Sequence, residues 1–338
     1  MNVELSNESY YGLGSVPIGI GAVLNGWHGG PGSVLDFRAM TGACEHDCFF
    51  CFTDKRKKTL TLGEIKNTIW KAKDVGYAGI DYLGEGEPTL DKDFFEIIYE
   101  TSRRNMVPVV FTDGATKLRN RKFIERLELT GASVCPKCDS LFNARYQNWI
   151  VGDKTDRYFR QRNEAMYNLI LEGFNARRYD GRTRLGLDMV VTKKNINEVE
   201  KTLQFCRNNN IWIVFSTYLP SGRSGREDFD RSLVLSEEEL IRMRQVVQKV
   251  DCEYGFNHPI FSNFATFPCV ELMQIYGDGR VSPCPGNETI IGNIRDAIAV
   301  AGRLPILYNL KGLRAKILEQ FPCHDPNVFD SNCLYRQK

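Results

Sequence analysis

Between residues 33 and 250, short β-rich runs alternate with segments of helical period at intervals of roughly thirty residues, and this rhythm constrains the chain most. The strand runs are 33–39, 79–83, 107–112, 132–137, 185–192 and 212–218. The helical segments are 62–75, 91–103, 119–129, 158–173, 196–209 and 236–250, the last opening with Ser236 and Glu239 at the spacing of a capping box. Repeated βα units predict an α/β fold with a curved, mostly parallel sheet and helices outside it, either an incomplete barrel or an open doubly wound sheet. Both place ligands at the C-terminal strand ends. Functional residues are therefore expected just after each strand.

From about residue 261 the rhythm stops, which predicts three parts: an N-terminal extension (1–32), the βα body (33–250) and a smaller C-terminal α+β module (251–338). Composition narrows the setting. The chain has 11 cysteines in 338 residues, an odd number and too thin for a disulfide scaffold. Its N-terminus carries Glu4 and Glu8 without an apolar run, and no apolar stretch is long enough to span a membrane. A cytoplasmic setting without a membrane partner is expected, where grouped cysteines serve as metal ligands or redox groups. Lys and Arg total 44 against 42 Asp and Glu, leaving no global basic footprint for nucleic acid.

Just after the first strand stands Cys44-Glu45-His46-Asp47-Cys48-Phe49-Phe50-Cys51. Three thiolates on one short loop can wrap an iron–sulfur cube and leave its fourth iron open to a ligand. Zinc suits this spacing less, because structural zinc sites close all four positions, although His46 offers a fourth ligand. Three unrelated buried cysteines are the structural alternative.

These cysteines, with aromatic Phe50 before the last, resemble the CxxxCxΦC signature of radical S-adenosylmethionine (radical SAM) enzymes. After the second strand, Gly84-Glu85-Gly86-Glu87-Pro88 is similar to the family's GGEP motif, whose backbone groups hold the amino end of SAM. After the third, Phe111-Thr112-Asp113-Gly114 is similar to its T-N-G turn; after the fourth, Lys137-Cys138-Asp139-Ser140 is similar to a K-x-D-S pattern whose serine reaches the SAM ribose or carboxylate. Singly, each has a plainer reading: a strand-to-helix turn, a generic Asp-Gly turn and a helix cap. Their order on successive βα units carries the resemblance.

The resemblance implies a partial (β/α)6 TIM-like barrel in which Cys44, Cys48 and Cys51 hold a [4Fe-4S] cluster. SAM would lie against Phe50, Gly84, Glu85, Gly86, Glu87 and Ser140, with Asp188 and Thr192 as further contacts on the fifth strand. One electron enters the sulfonium, the C5′–S bond breaks homolytically, and the 5′-deoxyadenosyl radical takes a hydrogen atom from the substrate, chemistry no side chain starts alone. The electron implies a reducing partner such as flavodoxin or ferredoxin.

The C-terminal cysteines are Cys269, Cys284, Cys323 and Cys333, and an Asp278-Gly279 hairpin turn would bring the first two together. Four thiolates can complete a second [4Fe-4S] cluster; zinc suits such a site as well. Cys269 through Gly279 to Cys284, followed by Ile291-Gly292-Asn293-Ile294, resembles the opening of SPASM and twitch auxiliary-cluster domains, as does the segment 219–223. The few cysteines beyond it match the shorter twitch version. Four cysteines remain. Cys206 falls at core spacing in a helix and Cys252 has no assigned role; Cys135 and Cys138 would face opposite sides of a strand, and either could return a hydrogen atom to a substrate radical.

A radical SAM oxidoreductase acting on a small polar metabolite is the expected function, its auxiliary cluster accepting an electron or binding substrate. Forty-three residues precede Cys44, too few for the leader-recognition domain common among peptide maturases. A peptide maturase or epimerase is the second reading, and a SAM-independent iron–sulfur electron carrier the third.

Overall fold

The structure, a computed structural model, describes residues 34–74, 77, 79–176, 183–218, 222–225, 230–254, 274–282, 290 and 292–295. Strands β1 (Val34–Phe37), β2 (Gly79–Tyr82), β3 (Val107–Thr112), β4 (Ser133–Pro136), β5 (Gly186–Val191) and β6 (Trp212–Thr217) each fall within an expected run. Around them lie helices α1 (Leu62–Asp74), α2 (Phe94–Arg103), α3 (Arg121–Glu128), α4 (Ala144–Ile150), α5 (Tyr158–Leu171), α6 (Val199–Asn208) and α7 (Glu237–Glu253). The short α4 escapes the sequence reading because two turns are too few for a helical period to show. The capping box of α7 is present, with Glu239 N–H donating to Ser236 Oγ at 3.2 Å and Ser236 N–H to Glu239 Oε2 at 2.7 Å.

Strands β1 to β4 pair in parallel in the order β4-β3-β2-β1, and β5 pairs in parallel with β6. Isolated parallel bridges, Val134 to Leu185 and Lys137 to Asp188, join the two groups. Leu35, Phe37, Ile80, Tyr82, Val110 and Leu187 turn outward into the core shared with Ile65, Ile69, Ile97 and Ile98 of α1 and α2. Each such side chain, fully buried, contributes about 1.5–3 kcal/mol. The opposite faces meet across the interior, where Val109, Cys135, Trp212 and Val214 pack together. Contact between β3, β4 and β6 requires a curled sheet. The fold is thus a partial barrel, not an open doubly wound sheet.

Beyond β1 the sheet continues into β7 (Gln274–Ile275), which lies parallel to it with Asp36 opposite Gln274, and then into antiparallel β8 (Arg280–Ser282) and β9 (Gly292–Asn293). The expected hairpin turn is there, with Gly279 at φ +86°. Among the described residues no helix is long and apolar enough to cross a membrane.

Candidate active site

The cysteine loop leaves β1 and is held on two sides by its own backbone. Asp47 and Phe49 N–H donate to the carbonyls of Val151 and Ile150 at the end of α4 (3.2 and 2.9 Å). Gly86 and Glu87 N–H donate to those of Thr41 and Ala43 (3.0 and 2.8 Å), which zips the Gly84–Pro88 turn onto the cysteine loop. Shape demands both glycines. Gly84 has φ +68°, and a Cβ on Gly86 would stand 2.3 Å from the Ala43 carbonyl oxygen. Arg223 joins from beyond β6, its N–H 3.4 Å from the Thr53 carbonyl and its guanidinium 2.5 Å from Asp47 Oδ1.

Cys44, Cys48 and Cys51 are half-buried free thiols at this mouth. Burial pushes Cys48 up to about 12; Lys137 opposes this, and Cys51, Asp139 and Cys44 add to it. Burial likewise pushes Cys44 up to about 11. Among the described residues no three ligating side chains are gathered around one ion position, so the fit to a cluster rests on donor chemistry. Thiols that resist ionisation alone, as Cys44 and Cys48 do, are ionised by a polynuclear cation. His46, the possible fourth ligand, instead faces Asp113 (3.2 Å) and packs edge-on against Tyr158.

The second strand-end loop is tied to the third through Glu87. Its carboxylate accepts from Thr89 N–H (3.1 Å) and hydroxyl (2.6 Å), from the Thr112 hydroxyl (2.7 Å) and from Asp113 N–H (2.6 Å). About four acceptor positions exist on a carboxylate, and the chain fills them, so the side chain expected to face SAM is engaged as a clamp. Burial, reinforced by the Asp113 charge, pushes Glu87 up to about 8. Burial opposes ionisation of Asp113 too, but His46 and Thr116 hold its carboxyl below the usual range. Glu85 borders a cleft of about 320 Å³ that also meets Arg38, Phe52, Arg56, Tyr276 and Arg280.

At the end of β4, Ser140 is fully buried. Its hydroxyl donates to Glu198 (2.6 Å) and accepts from Asn143 N–H (2.8 Å), so it braces the loop before α4, whose cap is Asn143. Thr192 is buried as well, its hydroxyl shared with Tyr146 (2.9 Å) and Asn195. Phe50 is buried near Tyr146 and Tyr158, with the Lys137 ammonium 3.9 Å from its ring centroid. Asp188 points into the barrel, and burial, opposed by Lys137, pushes it up to about 6.

Cys135 and Cys138 point to opposite sides, as their spacing predicts: Cys135 into the interior and Cys138 into the outer core. Only Cys135 shares the barrel interior with Asp188. Cys269, Cys284, Cys323 and Cys333 lie outside the described residues. Sequence reasoning passed over Asp36 and Asp81, which line the interior in one register. The available signal was an acidic residue inside an otherwise apolar strand, VLDF and GIDY.

The chain is similar to the GTP 3′,8-cyclase of Marinobacter nauticus, at 24% identity over 275 residues, 74% of this chain and 78% of that protein. A GTP 3′,8-cyclase of Actinobacillus pleuropneumoniae is 25% identical over 213 residues, 60% of this chain and 58% of its own length. Streptococcus suis SuiB, solved bound to its precursor peptide SuiA, shares the fold with a TM-score of 0.60 and 18% identity, over 85% of this chain and 67% of that one. So does anSMEcpe, solved with AdoMet and a Cp18Cys peptide: TM-score 0.56, 17% identity, 78% and 77% coverage. The sequence pattern of the Radical SAM superfamily matches residues 39–232, more than half of the chain, and the protein belongs to that superfamily.

Proposed function

We propose that this radical SAM enzyme is an oxidoreductase that acts on a small polar metabolite inside the barrel. The observation that carries the reading is the inward face of the strands. Asp81, Phe111, Lys137, Asp188 and Ser216 keep partial exposure, while the outward-facing Ile80, Tyr82, Val110, Met189 and Phe215 have none. Space therefore lies within the curled sheet, and charged groups border it.

When bound, the cluster and SAM supply one-electron cleavage of a sulfonium C–S bond and thereby hydrogen-atom abstraction. Cys44, Cys48 and Cys51 would hold the cluster. The backbone of Gly84–Glu87 would receive the amino end of SAM, with the Glu87 side chain fixing that turn rather than touching the ligand. Lys137, seated over Phe50 and paired with Asp139 at 3.2 Å, places a positive charge beside the thiols. Cys135 is the better placed of the two proposed hydrogen donors, since Cys138 faces the helices. A flavodoxin or ferredoxin would deliver the electron in the cytoplasm, and the four C-terminal cysteines would hold the auxiliary cluster.

Anaerobic reconstitution tests this reading. About eight irons per chain and SAM-dependent release of 5′-deoxyadenosine are expected, with Cys48→Ala losing the release. Zinc in place of iron, or no SAM cleavage under reducing conditions, would refute it. Turnover on a peptide but on no small molecule would favour the maturase reading.

A further inference from the structure

The interior carries a polar row that neither SAM nor the cluster would use. Asp36 of β1 stands in parallel register with Asp81 of β2 on one side and Gln274 of β7 on the other. Residues paired in this way share a face, and the flanking Leu35, Phe37, Ile80, Tyr82 and Ile275 all turn outward, so the three point inward. The row lies about 10 Å below Gly84, three residues of extended chain from the proposed SAM site.

Its hydrogen bonding is incomplete. Gln274 is fully buried, yet neither its amide oxygen nor its amide nitrogen has a partner among the described residues. Asp81 Oδ1 and, on the interior face of β6, Trp212 Nε1 are likewise without partners among the described residues. Buried polar groups are nearly always satisfied, and each unpaired one costs about 1–3 kcal/mol. Neither Asp36 nor Asp81 forms an ion pair among the described residues. Arg38 draws Asp36 only through space, and the Lys137 ammonium is taken by Asp139. Asp188 of β5 adds a third carboxyl, and Cys135 of β4 feels the charge of both Asp81 and Asp188.

We propose that this row holds a protonated nitrogen of the substrate, an ammonium or a guanidinium, between Asp36, Asp81 and the Gln274 carbonyl oxygen. Two carboxylates side by side repel each other, so the empty pair retains a proton, and a neutral hydroxyl group leaves that proton in place. A cationic N–H donor takes the place of the proton and also fills the vacant acceptors. The Gln274 amide and Trp212 Nε1 remain to donate to an oxygen on the same molecule. The inference deepens, and rests on, the small-metabolite reading.

The test uses the full-length, anaerobically reconstituted protein with SAM bound. Thermal unfolding is followed with glucosamine against glucose, and with putrescine against 1,4-butanediol, at millimolar concentration. In at least one pair the amine should raise Tm by about 3 °C or more beyond its neutral partner. That difference should vanish in Asp81→Asn and in Gln274→Leu. The second substitution removes two unpartnered polar atoms and is expected to fold. No discrimination in either pair, or discrimination kept in either variant, overturns the proposal. Intact SAM cleavage without amine preference refutes this inference alone; absent cleavage in the unaltered protein refutes the enzymatic reading instead.

Discussion

The Glu87 carboxylate receives the Asp113 backbone N–H at 2.6 Å, and this one contact couples the loop after β2 to the loop after β3. Since the Gly86 and Glu87 N–H groups bind the cysteine loop in turn, three successive strand ends form one hydrogen-bonded unit. Replacing Glu87 by Ala strands four donors in a buried setting. Stability should fall by about 2–4 kcal/mol, measured by urea unfolding. Glu87→Gln, which returns one oxygen but turns an NH2 toward a donor, should recover only part of the loss.

Gly86→Ala should be as damaging without removing any polar group. The new methyl would stand 2.3 Å from the Ala43 carbonyl oxygen, and the atoms it meets there, from Ala43 and Gly42, are backbone. A loss of about 2 kcal/mol or more is expected, with iron retained by the cysteine loop falling in parallel. Unchanged iron content in a folded Gly86→Ala protein would separate the turn from the cluster site.

The interior carboxyls predict an unusual pH response. Burial pushes Asp36 up to about 7, and burial with the neighbouring Asp36 charge raises Asp81. Raised carboxyl values mean that the folded state binds protons more tightly than the unfolded chain. The stability this contributes is fully present near pH 4 and is lost as pH rises through about 7. Asp81→Asn removes one charge of the pair. It should stabilise the ligand-free protein at pH 8 by on the order of 2 kcal/mol and change it little at pH 4. Denaturant melts at the two pH values give the comparison.

Arg207 of α6 and Asp251 of α7 form a fully buried ion pair at 2.7 Å. Truncating one partner leaves a buried charge uncompensated, so Arg207→Ala should cost about 3–5 kcal/mol. The double change Arg207→Leu with Asp251→Leu should cost much less. A double-mutant cycle measures the difference, and equal losses from the single and double changes would contradict it.

Six strands and six of the seven described helices were legible in the sequence, because alternating and helical periods depend on near neighbours in the chain. The order of motifs was legible for the same reason: a loop after each parallel strand must emerge at the same end of the sheet. The sequence by itself therefore determined the βα body, the superfamily and the cysteine loop, while contact across the interior decided for the barrel. It also foretold that Cys135 and Cys138 would part to opposite faces.

What each polar side chain touches was decided only by the tertiary structure. Ser140 and Glu198 lie 58 positions apart in the chain and meet at 2.6 Å, a buried contact that no local pattern reveals. Glu87 became a clamp because its partners come from the next strand end, and His46 turned to Asp113. Asp36, Asp81 and Gln274 come from three strands, and no local period reveals that they share one row. Hydrogen bonding and charge act through space across distances the chain does not encode locally, so the superfamily could be recognised from its motifs, but the contents of the interior required the curled sheet.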